Sequence, residues 1–220
     1  MKKPRAIIFD LDGTLADTLR DIAEAGNRAF ASAGLAPRTL AEFRGGVGSG
    51  VEVLLQRLSG VDDGERVAEM ERVFRAYYHE HCLDYTRLYP GVTEFLDAIG
   101  VAGLPMCVLS NKPHEYTVKT VEALCGEGRF VEVRGEGNGF ARKPDAAGAL
   151  HLAGRMDRAP GECVLIGDSD VDMQTARNAG MQAVGVTWGF RDREVIEAAG
   201  AHAVIDHASE LLPLIGLGAV

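Results

Sequence analysis

The sequence predicts an α/β fold: a doubly wound, Rossmann-like parallel sheet with a helical cap domain inserted after the first strand. Three features carry that expectation. Five short apolar runs each stop abruptly at polar residues. Segments with helical spacing lie between most of them. The interval 15–88 breaks the alternation, offering helical stretches and no run that reads as a buried strand.

The first run, Ala6-Ile7-Ile8-Phe9, ends at Asp10. Met106-Cys107-Val108-Leu109 ends at Ser110-Asn111, and Cys163-Val164-Leu165-Ile166 ends at Gly167-Asp168. Ala183-Val184-Gly185-Val186 and Ala203-Val204-Ile205 end at Thr187 and Asp206. Runs so uniformly apolar suit strands buried on both faces, as parallel strands covered by helices are. Helical stretches around 21–34, 50–58 and 65–85, with Gly45-Gly46-Val47-Gly48-Ser49-Gly50 as a flexible loop among them, assign 15–88 to the cap and 1–14 with 89–220 to the core. In 92–99, Val92, Phe95, Leu96 and Ile99 share one helical face. In 170–179, Val171, Met173, Ala176 and Ala179 do the same, and Gly180 closes that helix.

Composition narrows the function. Of 220 residues, 46% are hydrophobic and 25% charged, as in ordinary globular proteins. A formal net charge of −9 argues against a nucleic-acid partner, because an acidic surface repels a phosphate backbone. No apolar run approaches the roughly 20 residues that span a bilayer, and the stretch before Asp10 is too short for a signal-peptide core. The expectation is a cytoplasmic protein with no membrane partner, monomeric or homodimeric. Cys82, Cys107, Cys125 and Cys163 show neither CxxC pairing nor metal-type spacing and read as reduced, buried thiols.

In open α/β sheets, ligands bind beyond the carboxyl ends of the strands. The residues closing the apolar runs are therefore the candidates: Asp10 and Asp12, Ser110 and Asn111, and Asp168, with Lys143 in the irregular segment between. Two residues of extended chain set Asp10 and Asp12 on one side. A helix beginning near Asp168 would bring Asp172 to the same face. Carboxylates so gathered repel one another, and a divalent cation with hard oxygen ligands, magnesium, would relieve them. Ser110 and Lys143 suit phosphate oxygens, and Gly13 permits close backbone approach. Taken singly, each residue also has a plain structural reading: a turn for Asp12-Gly13, a helix start for Asp168 and Asp172, an N-cap for Ser110, a surface lysine for Lys143.

Together the motifs resemble those of the haloacid dehalogenase superfamily. Phe9-Asp10-Leu11-Asp12-Gly13-Thr14-Leu15 is similar to its first motif, Leu109-Ser110-Asn111-Lys112-Pro113 to its second, Lys143-Pro144-Asp145 to its third and Gly167-Asp168-Ser169-Asp170-Val171-Asp172 to its fourth, in the same order. The resemblance implies Asp10 as nucleophile and metal ligand, and Asp12 as general acid–base that also binds the metal through its carbonyl. It implies Gly13, Ser110, Asn111 and Lys143 around the phosphate, Asp168 on Mg²⁺ and Asp172 supporting it. It further implies a magnesium-dependent phosphatase acting on a small phosphorylated metabolite through an aspartyl-phosphate. Within the superfamily, Val47-Gly48-Ser49-Gly50 and 185–191 are similar to the phosphoglycolate phosphatase group, which implies 2-phosphoglycolate as substrate. Pyrophosphatases and sugar-phosphate phosphatases or mutases share some of these cues and stay open as alternatives. Arg44, with Gly48 and Ser49, would then face the substrate carboxylate; a solvated surface arginine is the other reading of Arg44.

Overall fold

A computed structural model of the protein describes residues 1–218. Strand β1 (Ala6–Phe9) is followed by β2 (Ala16–Asp17), then by four helices: α1 (Leu19–Ser32), α2 (Leu40–Gly46), α3 (Val51–Ser59) and α4 (Gly64–His81). Strand β3 (Arg87–Leu88) pairs antiparallel with β2, so a two-stranded ribbon carries the chain out to the helices and back. The remainder runs α5 (Val92–Val101), β4 (Met106–Pro113), α6 (His114–Cys125), β5 (Glu132–Glu136), α7 (Ala147–Arg155), β6 (Cys163–Gly167), α8 (Asp170–Asn178), β7 (Gln182–Val186), α9 (Arg193–Ala198), β8 (Ala203–Ile205) and α10 (Leu211–Leu214).

The six longer strands form one parallel sheet in the order β5-β4-β1-β6-β7-β8. Alternate side chains of β1 divide between its two faces, as the strand period requires. Ile7 and Phe9 join Val108, Val164 and Ile166 on one face. Ala6 and Ile8 join Cys107 and Leu165 on the other. Helices α1–α4 gather a separate apolar cluster around Phe30, Phe43, Leu55, Met70 and Phe74, and Tyr116 and Phe190 from the sheet layers pack into it.

Four local features differ from the sequence-based expectations. Strand β5 reads Glu-Val-Arg-Gly-Glu and has no apolar run to announce it; it is an edge strand whose residues are all half-buried, and charge is how exposed edges are protected. Strand β4 does not stop at Leu109 but continues through Pro113, with a register irregularity between those residues. Gly45 and Gly46 are not loop but the end of α2. That helix starts at a capping box in which Thr39 and Glu42 satisfy each other's backbone N–H groups. Phe43 packs on Phe30 above Gly26, where a Cβ would come within 2.4 Å of the Phe43 ring. Finally, α4 ends at His81, short of residue 85. The buried Asp21 carboxylate takes the N–H groups of Tyr85 and Thr86 and the Thr86 hydroxyl, and these bonds draw the chain out of helical conformation.

No helix among the described residues is long and apolar enough to cross a membrane. All four cysteines are free and buried.

Candidate active site

Strand β1 lies between β4 and β6, where the chain switches from one side of the sheet to the other, and the carboxyl ends of the strands open a crevice there. Asp10 follows β1 directly, its N–H donating to the Ile166 carbonyl at 2.9 Å. Asp12 lines the same crevice. Between Asp12 and β2 the backbone turns through Gly13 at φ +89°, and a Cβ there would lie 2.4 Å from Asp168 Oδ2. The Gly13 N–H donates to Ala16 O at 2.9 Å and serves that turn.

Asp168 emerges from the end of β6. It accepts hydrogen bonds from the Phe190 N–H at 2.6 Å and the Thr14 hydroxyl at 3.3 Å. Ser169 caps α8, accepting from the Asp172 N–H and donating its hydroxyl to Asp172 Oδ2 at 2.6 Å. That capping box turns the Asp172 carboxylate inward. Gly167 makes room for it, since a Cβ at that position would meet Asp172 Cγ at 2.3 Å.

Lys143 joins the acids. Its Nζ donates to Asp10 Oδ1 at 2.8 Å and to Asp172 Oδ1 at 2.7 Å. Asn111 holds the lysine's backbone: its Oδ1 accepts from the Lys143 N–H at 2.8 Å, and its Nδ2 donates to Lys143 O at 3.0 Å and Gly48 O at 2.9 Å. Asn111 thus braces the site through main-chain groups. Ser110 lies on the crevice wall inside β4, its Oγ accepting from the Lys112 N–H at 3.2 Å.

The electrostatics follow from burial. Burial pushes the Asp10 carboxyl well above the usual carboxylate range; Lys143 opposes this, while Asp172 and Asp168 add to it. Burial, reinforced by Asp172, pushes Asp168 to about 7 against the pull of the Phe190 N–H. Burial disfavours the Lys143 ammonium, but Asp10 and Asp172 outweigh it and hold the proton more tightly than usual. Asp10, Asp168 and Asp172 each offer an oxygen within 4.8 Å of the others. Three buried carboxylates against one ammonium, all hard oxygen donors, fit a divalent cation such as Mg²⁺. The Asp12 carboxylate stands outside that group and pairs with Lys112.

The helical layer roofs the crevice with Ile22, Val47, Val51, Leu54 and Phe74. The crevice beneath that roof opens in part to solvent. Gly48 lines it, but Ser49 and Arg44 do not. The Ser49 carbonyl accepts from Arg142 at 3.2 Å, and Arg44 donates to Gly189 O at 2.9 Å. Arg191 reaches the opposite way, donating to Arg44 O at 2.8 Å and Val47 O at 2.6 Å. The two arginines clip helix α2 to the loop after β7.

Three residues gain a place that the sequence did not reveal. Lys112 is buried, its Nζ 2.8 Å from Asp12 Oδ1 and 2.6 Å from the Tyr78 hydroxyl. Tyr78 sits on α4, and no spacing rule links it to a strand end. Arg191 shows its function only once α2 lies beside it. A signal for Lys112 existed in its position directly after Ser110-Asn111.

The family described as haloacid dehalogenase-like hydrolase matches residues 7–186. The phosphoglycolate phosphatase of Agrobacterium fabrum is 35% identical over 216 residues, covering 94% of this chain and 91% of the relative. That of Chromobacterium violaceum is 32% identical over 226 residues and covers 99% of each chain. Among solved structures, a protein of Lactobacillus delbrueckii subsp. bulgaricus provisionally named phosphoglycolate phosphatase superimposes with a TM-score of 0.91 at 33% identity, covering 98% of this chain and 99% of that one.

Proposed function

Because the chain belongs to the haloacid dehalogenase-like hydrolases, we propose that it is a magnesium-dependent phosphatase that hydrolyses a small phosphomonoester, 2-phosphoglycolate, through a phosphorylated Asp10. The observation that carries this reading is the meeting of Asp10, Lys143, Asp168 and Asp172 at the carboxyl ends of β1 and β6.

In this reading an Asp10 carboxylate oxygen attacks phosphorus while Asp12 protonates the departing ester oxygen. The bond from phosphorus to the alcohol breaks and an acyl-phosphate forms on Asp10. Asp12, now ionised, takes a proton from water; the water oxygen attacks phosphorus, and inorganic phosphate leaves with the Asp10 carboxylate restored. Lys143 and the Ser110 hydroxyl neutralise and orient the phosphate oxygens. Asp10 and Asp168, with the Asp12 carbonyl and support from Asp172, would hold a magnesium ion, whose chemistry is to offset the charge gathered between carboxylates and phosphate.

Residues 15–88 serve in this reading as the cap. Its support is the separate apolar cluster of α1–α4 and the bonds from Asn111, Arg142 and Arg191 to the backbone of residues 44–49. The cytoplasm is the proposed compartment, supported by four buried thiols that form no disulfide. Steady-state kinetics over a phosphomonoester panel, with and without Mg²⁺, tests the reading. Release of phosphate from 2-phosphoglycolate only with the metal is expected. Preference for pyrophosphate or hexose phosphates, or an isomerised sugar phosphate as product, would overturn the substrate assignment.

A further inference from the structure

Three cations line the crevice: Lys143, Arg191 and Lys112. Lys143 is engaged by Asp10 and Asp172, where phosphate chemistry is placed. Arg191 spends its guanidinium on the Arg44 and Val47 carbonyls. Lys112 is different. It is buried, it faces the leaving-group side through Asp12, and two partners, Asp12 Oδ1 and the Tyr78 hydroxyl, account for two of its three N–H donors. Apolar Val51, Leu54 and Phe74 share the crevice lining with it, and a charge partly shielded from water acts strongly on a second charge brought near it.

Resting on the phosphatase reading above, we propose that Lys112 is the residue that recognises the substrate's carboxylate, and that Tyr78 of α4 positions it. Asp12 must reach the ester oxygen to protonate it, and Lys112 stands 2.8 Å from Asp12. In the phosphate ester of a 2-hydroxy acid, one carbon separates that ester oxygen from the carboxylate. That spacing puts the carboxylate within reach of Lys112 when the ester oxygen lies beside Asp12. A phosphate ester with a neutral carbon chain brings Lys112 no such partner and sets uncharged hydroxyls against the apolar roof, a penalty that discriminates against it. Because Tyr78 comes from the helical layer, the lysine is held for recognition only while that layer is closed over the crevice.

The test compares two esters of similar size, 2-phosphoglycolate and 2-hydroxyethyl phosphate, with Mg²⁺ present, for the wild type, K112M, K112Q and Y78F. Wild type favours the carboxylate ester. In K112M, kcat/KM for 2-phosphoglycolate falls about 10- to 100-fold further than for 2-hydroxyethyl phosphate, the range expected for one charge-assisted contact. Y78F raises KM for 2-phosphoglycolate with a smaller change in kcat. Thermal melting of each variant establishes that it is folded; if K112M is not, K112Q and the Y78F preference ratio decide. Parallel loss on both esters, or a carboxylate preference that survives in the Lys112 variants, removes the assignment while leaving the phosphatase reading standing. A wild type inactive on every ester removes both.

Discussion

The Lys143 ammonium lies 2.8 Å from the Asp10 carboxylate, and both groups are buried at the end of the central strand. The same ammonium bonds to Asp172, so one cation separates two acids that would otherwise face each other. Lys143→Met removes it and leaves both carboxylates buried without that counter-charge. The metal-free variant should lose about 3–5 kcal/mol of stability at pH 8, the usual cost of breaking a buried pair, read from urea unfolding. Its kcat should fall by about 10²–10³-fold, as when a donor to a reacting oxyanion is lost. An arginine, planar and bulkier, should not restore either.

Asp168 links stability to pH and to metal. Its carboxyl is held at about 7 in the fold against 3.8 as a free side chain. The folded state therefore binds this proton more tightly than the unfolded one. The resulting stability is complete below about pH 4 and is lost as pH rises through about 7, on the order of a few kcal/mol. In the proposed reading magnesium binds the ionised form, so its stabilisation should be larger at pH 8 than at pH 5. Thermal melts with and without Mg²⁺ measure this. Asp168→Asn should flatten the metal-free pH dependence and abolish the Mg²⁺ shift; an Mg²⁺ shift of equal size at both pH values would contradict the assignment of the ion to these acids.

Asn111 ties three backbone groups together: the Lys143 N–H and carbonyl, and the Gly48 carbonyl of the helical layer. Asn111→Ala leaves those groups to find other partners in a buried setting. It should cost about 1–3 kcal/mol of stability and lower kcat by displacing Lys143. It should also raise KM, because the loop at Gly48 loses its anchor to β4. A kinetic comparison of the variant with wild type separates these effects; unchanged kcat would mean that Lys143 is placed by other means.

Much of this was legible in the sequence because parallel strands buried on both faces leave unbroken apolar runs; three of the six main strands end where those runs end, and β6 ends one residue later. Edge strand β5 left no such trace, since an edge needs charge rather than burial. Asp10, Asp168 and Lys143 could be named because short local motifs carry them, and the structure gathers them. Arg44 was expected at the substrate but bonds to Gly189 O, a contact set by how α2 meets the loop after β7. Lys112 and Tyr78 meet across 34 residues of chain, and no periodicity in either segment encodes that meeting.

Gly189 carries a prediction of steric origin. A Cβ there would lie 2.3 Å from both Asp168 Cβ and Gly13 O, backbone and a fixed acid that cannot give way cheaply. The next residue, Phe190, supplies the N–H that orients Asp168. Gly189→Ala should push this loop back and weaken that hydrogen bond. The Mg²⁺ concentration for half-maximal activity should rise, while far-ultraviolet circular dichroism stays that of a folded α/β protein. Unaltered metal dependence would show that Asp168 is oriented without the loop.

The proposed two-step reaction can be divided between Asp10 and Asp12 by the choice of leaving group. Asp12 touches Lys112 and lines the crevice beside Asp10 but is not its hydrogen-bond partner, so removing it should leave the nucleophile in place. With an alkyl phosphate, Asp12→Ala should cost about 10²–10⁴-fold in kcat, because the leaving alkoxide must be protonated. With p-nitrophenyl phosphate the leaving phenolate needs little protonation, and phosphorylation of Asp10 should remain fast while attack by water becomes slow. Rapid mixing of Asp12→Ala with that ester should then release a burst of nitrophenolate close to one equivalent per chain, followed by slow turnover. Asp10→Asn should give no burst and no turnover, although it replaces a carboxylate whose charged form is already disfavoured by burial and should fold at least as well as wild type. A burst from Asp10→Asn would place the nucleophile elsewhere in the crevice, and none from Asp12→Ala would mean that the attack of water does not depend on Asp12.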